Sequence, residues 1–397
     1  MRNTRSFDLN FSKQKLTLAL KRYNFFLLFV VTILGIAGAW FIGLASGAEK
    51  GPGAFKKQLF GLVAGLIIAS FVSFIDYHFI CRFVILYYIV GTLMVAATKF
   101  SPLGTDLNTG SYRWLDLPGI NLQPSELTKI ILVLTLAVFL DKREERMNQL
   151  RTLVMATLIM VLPTGFVLVQ SDLSSSMVMI FLFAIMTFTA GLSYKIVLPI
   201  LGIGVPAFIA LFWYIQQPYQ VILRDYQLER IIGFLNPEKY ANSTMYQQNH
   251  SVQAIASGQL IGKSFMSNAS DTRGYRYVDI NEADFIFSVI GEEVGFIGSC
   301  IIIALLAAVV ILCVKASRAA YDRLGMLIAI GIAAMFMFQI FANIGVATRM
   351  LPNTGLPLPF LSAGLSSMAG SMIGIGLILN IDYQSSSRGR HGGFSML

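Results

Sequence analysis

Charge is what this sequence has least of. Only 13% of its 397 residues are charged, against about 25% in a soluble globular domain. With 55% hydrophobic residues and a mean hydropathy of +0.68, so long a chain could not cover its core with polar surface in water. Cysteine is scarce too: Cys81, Cys300 and Cys313 all fall in or beside apolar runs. Cys300 and Cys313 stand thirteen residues apart on one predicted helix, roughly 20 Å along its axis, too far to bridge. No CxxC occurs and the three histidines (His78, His250, His391) are scattered, so neither a disulfide framework nor a structural zinc site is expected. The first apolar run is long enough to span a bilayer and no A-x-A site follows it, so a cleavable leader is not expected. The net charge of +9 does not point to nucleic acid. Its basic residues sit in short loops beside apolar stretches, where they set orientation.

What the sequence has in plenty is long apolar runs. A spanning helix needs about 20 mostly apolar residues. Ten candidates follow, roughly 24–46, 57–75, 80–98, 125–140, 152–169, 173–191, 196–215, 284–314, 324–347 and 366–382. The expected fold class is an all-α integral membrane protein with ten transmembrane helices, a single polytopic domain over 1–397. An even count puts both termini on one side. With the N-terminus inside, seventeen Lys and Arg lie inside and twelve outside, six of the twelve in one long loop that counts little in the rule. The tails 1–23 and 383–397 are therefore expected in the cytoplasm. Two outer segments are more than turns: 99–124, which carries Arg113-Trp114-Leu115-Asp116-Leu117, and the large loop 216–283 between helices 7 and 8. Structureless loops of that length are uncommon unless they have a function. The stretch Tyr226 to Phe234 reads as an amphipathic interfacial helix; the second half of the loop is rich in Asn, Ser, Gln and Gly.

Ionisable side chains inside spans are costly and are functional-site hypotheses by default. Here they are Glu126, Lys129, Asp172, Asp284, Glu292 and Glu293, all predicted toward the outer half. At about 100° per residue, Asp284, Ser288, Gly291, Gly295 and Gly298 fall within about 40° of one line. A carboxylate then heads a stripe of small residues, which suits close helix packing with Asp284 as N-cap, or a groove for an acyl chain. Glu126 and Lys129, at i and i+3, can form a structural ion pair or contact a substrate. Asp172, in Gln170-Ser171-Asp172-Leu173, can cap the sixth helix or partner a cation such as Lys129. Trp114 beside Arg113 is either an interface anchor or a sugar-stacking platform with a cation for phosphate. The run Leu351 to Ser362 holds three prolines and a glycine and cannot be regular helix. At membrane depth such backbone must be buried in protein or line a cavity, where Ser362, Ser366 and Ser367 offer hydroxyls to a polar head group.

Taken in order, these segments resemble the SEDS family (shape, elongation, division and sporulation), whose members include RodA, FtsW and SpoVE. Arg113-Trp114 followed by Gln123-Pro124-Ser125-Glu126-Leu127-Thr128-Lys129 resembles its R-W…Q-P-[SA]-E-x-x-K. Gln170-Ser171-Asp172-Leu173 resembles Q-P-D-L with Ser for Pro. Arg230…Asn236-Pro237, Tyr246-Gln247-Gln248 and Ala254…Gly262-Lys263 are similar to its large loop. Asp284-Phe285-Ile286-Phe287 with Gly291-Glu292-Glu293-Val294-Gly295-Phe296, then Asn343-Ile344-Gly345 and Leu351 to Ser367, resemble the remaining motifs. The sequence departs from the family at Val278-Asp279-Ile280, where L-P-E is usual, at Ala363-Gly364-Leu365-Ser366, where Y-G-G-S is usual, and at Arg349. The short tails and the Leu356-Pro357-Leu358-Pro359-Phe360 run make RodA the most similar member.

The resemblance implies ten transmembrane helices in the bacterial cytoplasmic (inner) membrane and a peptidoglycan glycosyltransferase that polymerises lipid II on the exoplasmic side. A RodA-like member serves cell-wall elongation and cell shape. The resemblance also implies a partner, a class B penicillin-binding protein whose transpeptidase cross-links the undecaprenyl-linked glycan. The family's proposed catalytic acid falls on Asp284, its charged cavity residues on Glu126, Lys129 and Asp172, and its first-loop tryptophan on Trp114. Glu292 is grouped with the supporting charges. The expected chemistry is an inverting transfer in which Asp284, as general base, contributes about 10²–10⁴-fold. Arg113, Arg230 and Lys263, or a divalent cation such as Mg²⁺ or Mn²⁺, would meet the leaving diphosphate. No other cofactor is expected. The alternatives are an FtsW-like septal polymerase, a lipid II flippase, and a scaffold without catalysis. No internal repeat of the transporter kind is visible in the sequence.

Overall fold

The computed structural model describes residues 23–105, 112–117, 120–217, 220–221, 225–266, 272–279 and 281–388. Its helices are α1 (Phe25–Ala45), α2 (Gly47–Phe74), a short α3 (Tyr77–Arg82), α4 (Val84–Phe100), α5 (Pro124–Asp141), α6 (Leu150–Val169) and α7 (Leu173–Thr189). They continue as α8 (Tyr194–Tyr214), α9 (Asp225–Leu235), α10 (Tyr246–Ser257), α11 (Ile286–Ala319), α12 (Arg323–Ala347) and α13 (Leu365–Arg388). Seven of them, α1, α2, α6, α8, α11, α12 and α13, are long and apolar enough to cross a membrane, and α4 and α7 are shorter apolar helices. α5 is of similar length but carries Glu126 and Lys129 in its first half.

The outer faces fit lipid. Phe60, Ile67, Phe71 and Phe74 along α2 are 65–80% exposed, and none of the described residues of α8 is buried. Such continuous apolar surface is untenable in water. The core lies around α12 and α13. α12 packs against α11, α7 and α5; α13 packs against α2 and α5; α1 closes the bundle against α2 and α11. At one end, polar side chains join distant parts of the chain. His78 lies between Asp76 (2.8 Å) and Asp322 (2.6 Å), Tyr77 donates to Asp322 at 2.6 Å, and Asn380 joins the Tyr77 amide to the Ser73 carbonyl.

Several elements differ from the sequence reading. The second helix starts at Gly47, ten residues before its apolar stretch, and holds Pro52 in its second turn. The third predicted span is two pieces that break at Phe83, with Asp76 capping the first through the His78 amide. A small antiparallel sheet was not expected: β1 (Gly104–Thr105), β2 (Trp114–Leu117) and β3 (Ile120–Leu122), in the order β1-β2-β3. The expected interfacial helix forms as α9, and the polar second half of the loop holds a further helix, α10.

Asp284 does not open the eighth helix. It lies in the turn before α11, and the N-cap position belongs to Phe285, which makes no side-chain cap bond. Nor does the stripe of small residues run straight. Gly295 has φ 65° and ψ −163°, which breaks α11 into two pieces. Two things press against the stripe: helix α10, whose Ile255 lies against Gly291, and loop backbone at Gly295. Phe296 and Ile297 donate to the carbonyls of Gln259 and Leu260 at 2.9 and 3.1 Å. A Cβ on Gly295 would sit 2.4 Å from the Gly262 nitrogen, so only glycine permits this approach.

Candidate active site

Five helices begin at the end of the bundle that carries the large loop: α2, α5, α7, α11 and α13. The N-terminal turns of four of these, α5, α7, α11 and α13, are tied together by side chains from the segments between helices. The run ending in Asp284 is held from several sides. Asn343 on α12 donates to the Asp284 carbonyl at 2.9 Å and to the Leu356 carbonyl at 2.7 Å. Ser362 donates to the Ala283 carbonyl at 2.5 Å and accepts from the Leu358 amide at 2.8 Å. The Ala363 amide donates to the Glu282 carbonyl at 2.8 Å, and Ser46 donates to the Glu282 carboxylate at 2.6 Å. The proline-rich segment is thus folded against the run that presents Asp284. That is why its irregular backbone is stable here: its carbonyls and amides find protein partners.

The Asp284 side chain is half-buried and faces Gly355. A Cβ on Gly355 would lie 3.1 Å from Asp284 Oδ2, and Gly355 has φ +74°. From Gly355 the contacts continue to α7. Ser174 donates to the Thr354 carbonyl. Asp172 accepts from the Ser175 amide at 3.0 Å and so caps α7. Arg113 donates to the Ser171 carbonyl at 2.8 Å. On the other side, Ser366 accepts from the Gln123 amide at 3.1 Å, which sets the start of α13 against the start of α5.

Glu126 and Lys129 pair at 2.8 Å with 4% and 0% of their side chains exposed. A pair so deep is costly to desolvate, and removing either partner leaves an unpaired buried charge. Lys129 therefore has Glu126 as its partner, while Asp172 serves as a cap. Trp114 is half-buried on β2, opposite Thr105. Arg230 falls on α9, and its side chain lies outside the described residues.

Lys263 and Glu292 form a second station. Glu292 is fully buried and accepts from Lys263, from Ser257 at 3.0 Å, and from the amides of Gly274 and Tyr275 at 2.8 and 2.9 Å. Its neighbour Glu293 accepts from Arg273 and from the Tyr275 hydroxyl, both at 2.8 Å, and from Ser264 at 2.5 Å. Burial and the Glu293 carboxylate push the Tyr275 phenol above its ordinary range, which keeps it a donor. Burial alone would lower Arg273, but its bond to Glu293 raises it. The two glutamates fasten the large loop to α11, and Lys263 is engaged in that fastening.

The sequence reading gave no role to Asn343, Ser174, Thr354 or Gly355. Asn343 had a signal: a buried amide in a largely apolar helix is costly unless it is used. Polar atoms buried without a hydrogen-bond partner gather at the same place. Of eleven such side-chain atoms among the described residues, six belong to Arg113, Ser125, Gln170, Asp172, Asn343 and Thr354. Buried polar groups are ordinarily satisfied, so this concentration makes the same end of the bundle the candidate polar site. Helix N-termini add positive potential, as anion sites do. Among the described residues no group of three or more His, Cys, Asp or Glu side chains converges as a metal cage.

The profile of cell cycle proteins of the FtsW, RodA and SpoVE kind matches residues 19–387. A probable peptidoglycan glycosyltransferase FtsW of Trichlorobacter lovleyi is 32% identical over 372 residues, 91% of this chain and 93% of its own. The stage V sporulation protein E of Bacillus subtilis is 28% identical over 333 residues, 83% of this chain and 87% of its own. A solved structure of a peptidoglycan synthase complex that coordinates polymerization and crosslinking aligns with a TM-score of 0.75 at 27% identity, over 91% of this chain and 98% of that one. A variant of the rod shape determining protein RodA of Thermus thermophilus aligns with a TM-score of 0.66 at 25% identity, over 91% and 97%.

Proposed function

The chain belongs to the FtsW, RodA and SpoVE family of cell cycle proteins, and on that ground we propose that this multi-pass inner-membrane peptidoglycan glycosyltransferase polymerises lipid II at the site around Asp284. In this reading all ten long helices span the bilayer, both termini are cytoplasmic, and the end carrying the large loop is exoplasmic. The observation that carries it is the half-buried Asp284 carboxylate at the meeting of helix N-termini, beside the concentration of unpartnered polar atoms.

The reaction joins the 4-hydroxyl of one lipid-linked sugar to C1 of another. As the O–C1 bond forms, the hydroxyl proton passes to the Asp284 carboxylate, and the bond from C1 to the lipid diphosphate breaks with inversion. The Gly355 turn and the Asn343 amide hold the run that presents that carboxylate. The departing diphosphate needs positive charge. The N-terminal turns of α5 and α7 supply it, with Arg113 set against the α6–α7 turn. Lys263 acts at a distance, by fixing the loop through Glu292.

The aligned synthase complex couples polymerization to crosslinking, which supports a class B penicillin-binding protein as this chain's partner. Elongation is the role that the sequence resemblance implies. A division role is the second reading, favoured by the FtsW name of the relative at 32% identity. Depletion separates them, since loss of an elongation polymerase rounds cells and loss of a septal one leaves filaments. The polymerase reading is tested with the purified, partner-bound chain and lipid II. Glycan strands are the expected product; lipid II moved across a bilayer with no glycan formed would point to a transporter instead.

A further inference from the structure

A cleft of about 690 Å³ opens between the end of α1, the start of α2 and the segment 273–276 of the large loop. The activity proposed above does not use it. One wall is apolar, built by Trp40, Leu44, Pro52 and Phe55, and Trp40 is 39% exposed. Its floor is bare because the two helices meet at glycines. A Cβ on Gly51 would lie 2.3 Å from the Gly43 carbonyl oxygen, and nothing lies within 4 Å of where one on Gly47 would stand.

The cleft is also lined by three cations, Lys56 on α2 and Arg273 and Arg276 from the large loop. Arg273 is paired with Glu293 at 2.8 Å. Lys56 and Arg276 are exposed, and neither has an ion pair among the described residues. Three cations and one carboxylate leave two positive charges in excess. An apolar wall beside these cations, at the end of two spanning helices, fits an amphiphile whose tail lies in lipid and whose head is a phosphate. The charge count chooses the head: a diphosphate diester brings two negative charges, a phospholipid diester one.

We propose that this cleft is a second seat for the lipid-linked sugar diphosphate, distinct from the Asp284 site; the proposal rests on the polymerase reading. Joining two lipid diphosphates requires holding both at once. The cleft is also mechanically connected to the first site. Asn281 donates to the Tyr275 carbonyl at 2.9 Å, and Ser46, at the start of α2, holds Glu282. The loop cations and the run that presents Asp284 therefore belong to one bonded segment.

The test counts bound lipid by native mass spectrometry on the full chain carrying Asp284→Asn, which slows turnover. Short-chain lipid II is the probe and phosphatidylglycerol the competitor. Two lipid II molecules per chain are expected. Lys56→Gln with Arg276→Gln should weaken the second about tenfold or more, the size of one lost hydrogen bond to a charged group. The charge-preserving pair Lys56→Arg with Arg276→Lys should retain it, and phosphatidylglycerol should not displace it. One lipid II per chain, an unchanged second affinity in the glutamine variant, or displacement by phosphatidylglycerol would each overturn the proposal. Polymerisation by the partner-bound chain with Asp284 intact is measured alongside. A chain that makes glycan but seats one lipid refutes the second seat alone, whereas one that seats two lipids and makes no glycan refutes the polymerase reading alone.

Discussion

Replacing Glu292 by glutamine removes the charge that fastens the large loop to α11 while keeping the shape of the side chain. In the intact protein the fully buried carboxylate meets four donors: Lys263, Ser257, and the amides of Gly274 and Tyr275. A carboxamide offers one acceptor oxygen and turns an NH₂ toward the other donors. Lys263, whose side chain is 14% exposed, then loses its countercharge. Breaking a buried pair costs about 3–5 kcal/mol. The lower figure, at 1.4 kcal/mol per tenfold, predicts that the loop opens about 10²-fold more often. Hydrogen exchange read by mass spectrometry on peptides covering 272–279 measures this directly. The Gly274 and Tyr275 amides should exchange about 10²-fold faster, with α12 as protected as before and no such change in Glu126→Gln. Exchange within about threefold of wild type would refute the fastening role, since a four-donor carboxylate cannot be removed without local opening. Equal loss of protection in α12 would show that the loop and the bundle open as one unit.

The other predictions concern the packing around the same end and the polar junction at the opposite one. Gly355→Ala places a Cβ 3.1 Å from Asp284 Oδ2 on a residue with φ +74°. It should slow polymerisation at least about tenfold, given that a 1 Å misplacement can cost about 10² in rate, while thermal unfolding shifts by only a few degrees. Lys129→Met alone should destabilise the chain by about 3–5 kcal/mol by orphaning Glu126; the double variant Glu126→Gln with Lys129→Met should recover much of that loss in thermal denaturation. An equal loss in both would rule out the pair as the cause. At the other end, burial raises the Asp322 pKa, but bonds from Tyr77, the Gly325 amide and His78 outweigh it and hold the carboxyl below its usual value. A depressed folded pKa adds stability above the unfolded value of about 3.9 and loses it as pH falls through the folded one. Asp322→Asn should therefore be less stable than wild type at pH 7, with the gap closing below about pH 4. A gap independent of pH would assign the loss to packing instead.

The helices of the bundle were legible because twenty-residue apolar runs leave lipid as the only suitable solvent, and nearly every predicted span holds a helix. The breaks were not. Phe83 carries no breaker, and Gly295 was read as one of a stripe on a straight helix because periodicity cannot register a φ of 65°. The same glycine pattern was right about close approach: helix α10 packs at Gly291, and loop backbone, which the pattern did not announce, packs at Gly295. The small sheet was hidden because its strands are two to four residues long, too short for alternation to stand out. At the site, the charged residues announced themselves by their cost in an apolar chain, and Glu126 found the partner that its spacing offered. Lys263 was legible as a cation but not as the partner of Glu292, twenty-nine residues away. Only coordinates bring Gly355 to Asp284, because the backbone between them passes through two whole helices.

The most direct test of the account substitutes one atom. Asp284→Asn keeps the size of the side chain and its place in the bonded run, and removes the base. With partner binding and thermal unfolding unchanged, the purified complex should polymerise lipid II about 10²–10⁴-fold more slowly. Strand synthesis at near wild-type rate by that variant would contradict the assignment of Asp284 as the proton acceptor.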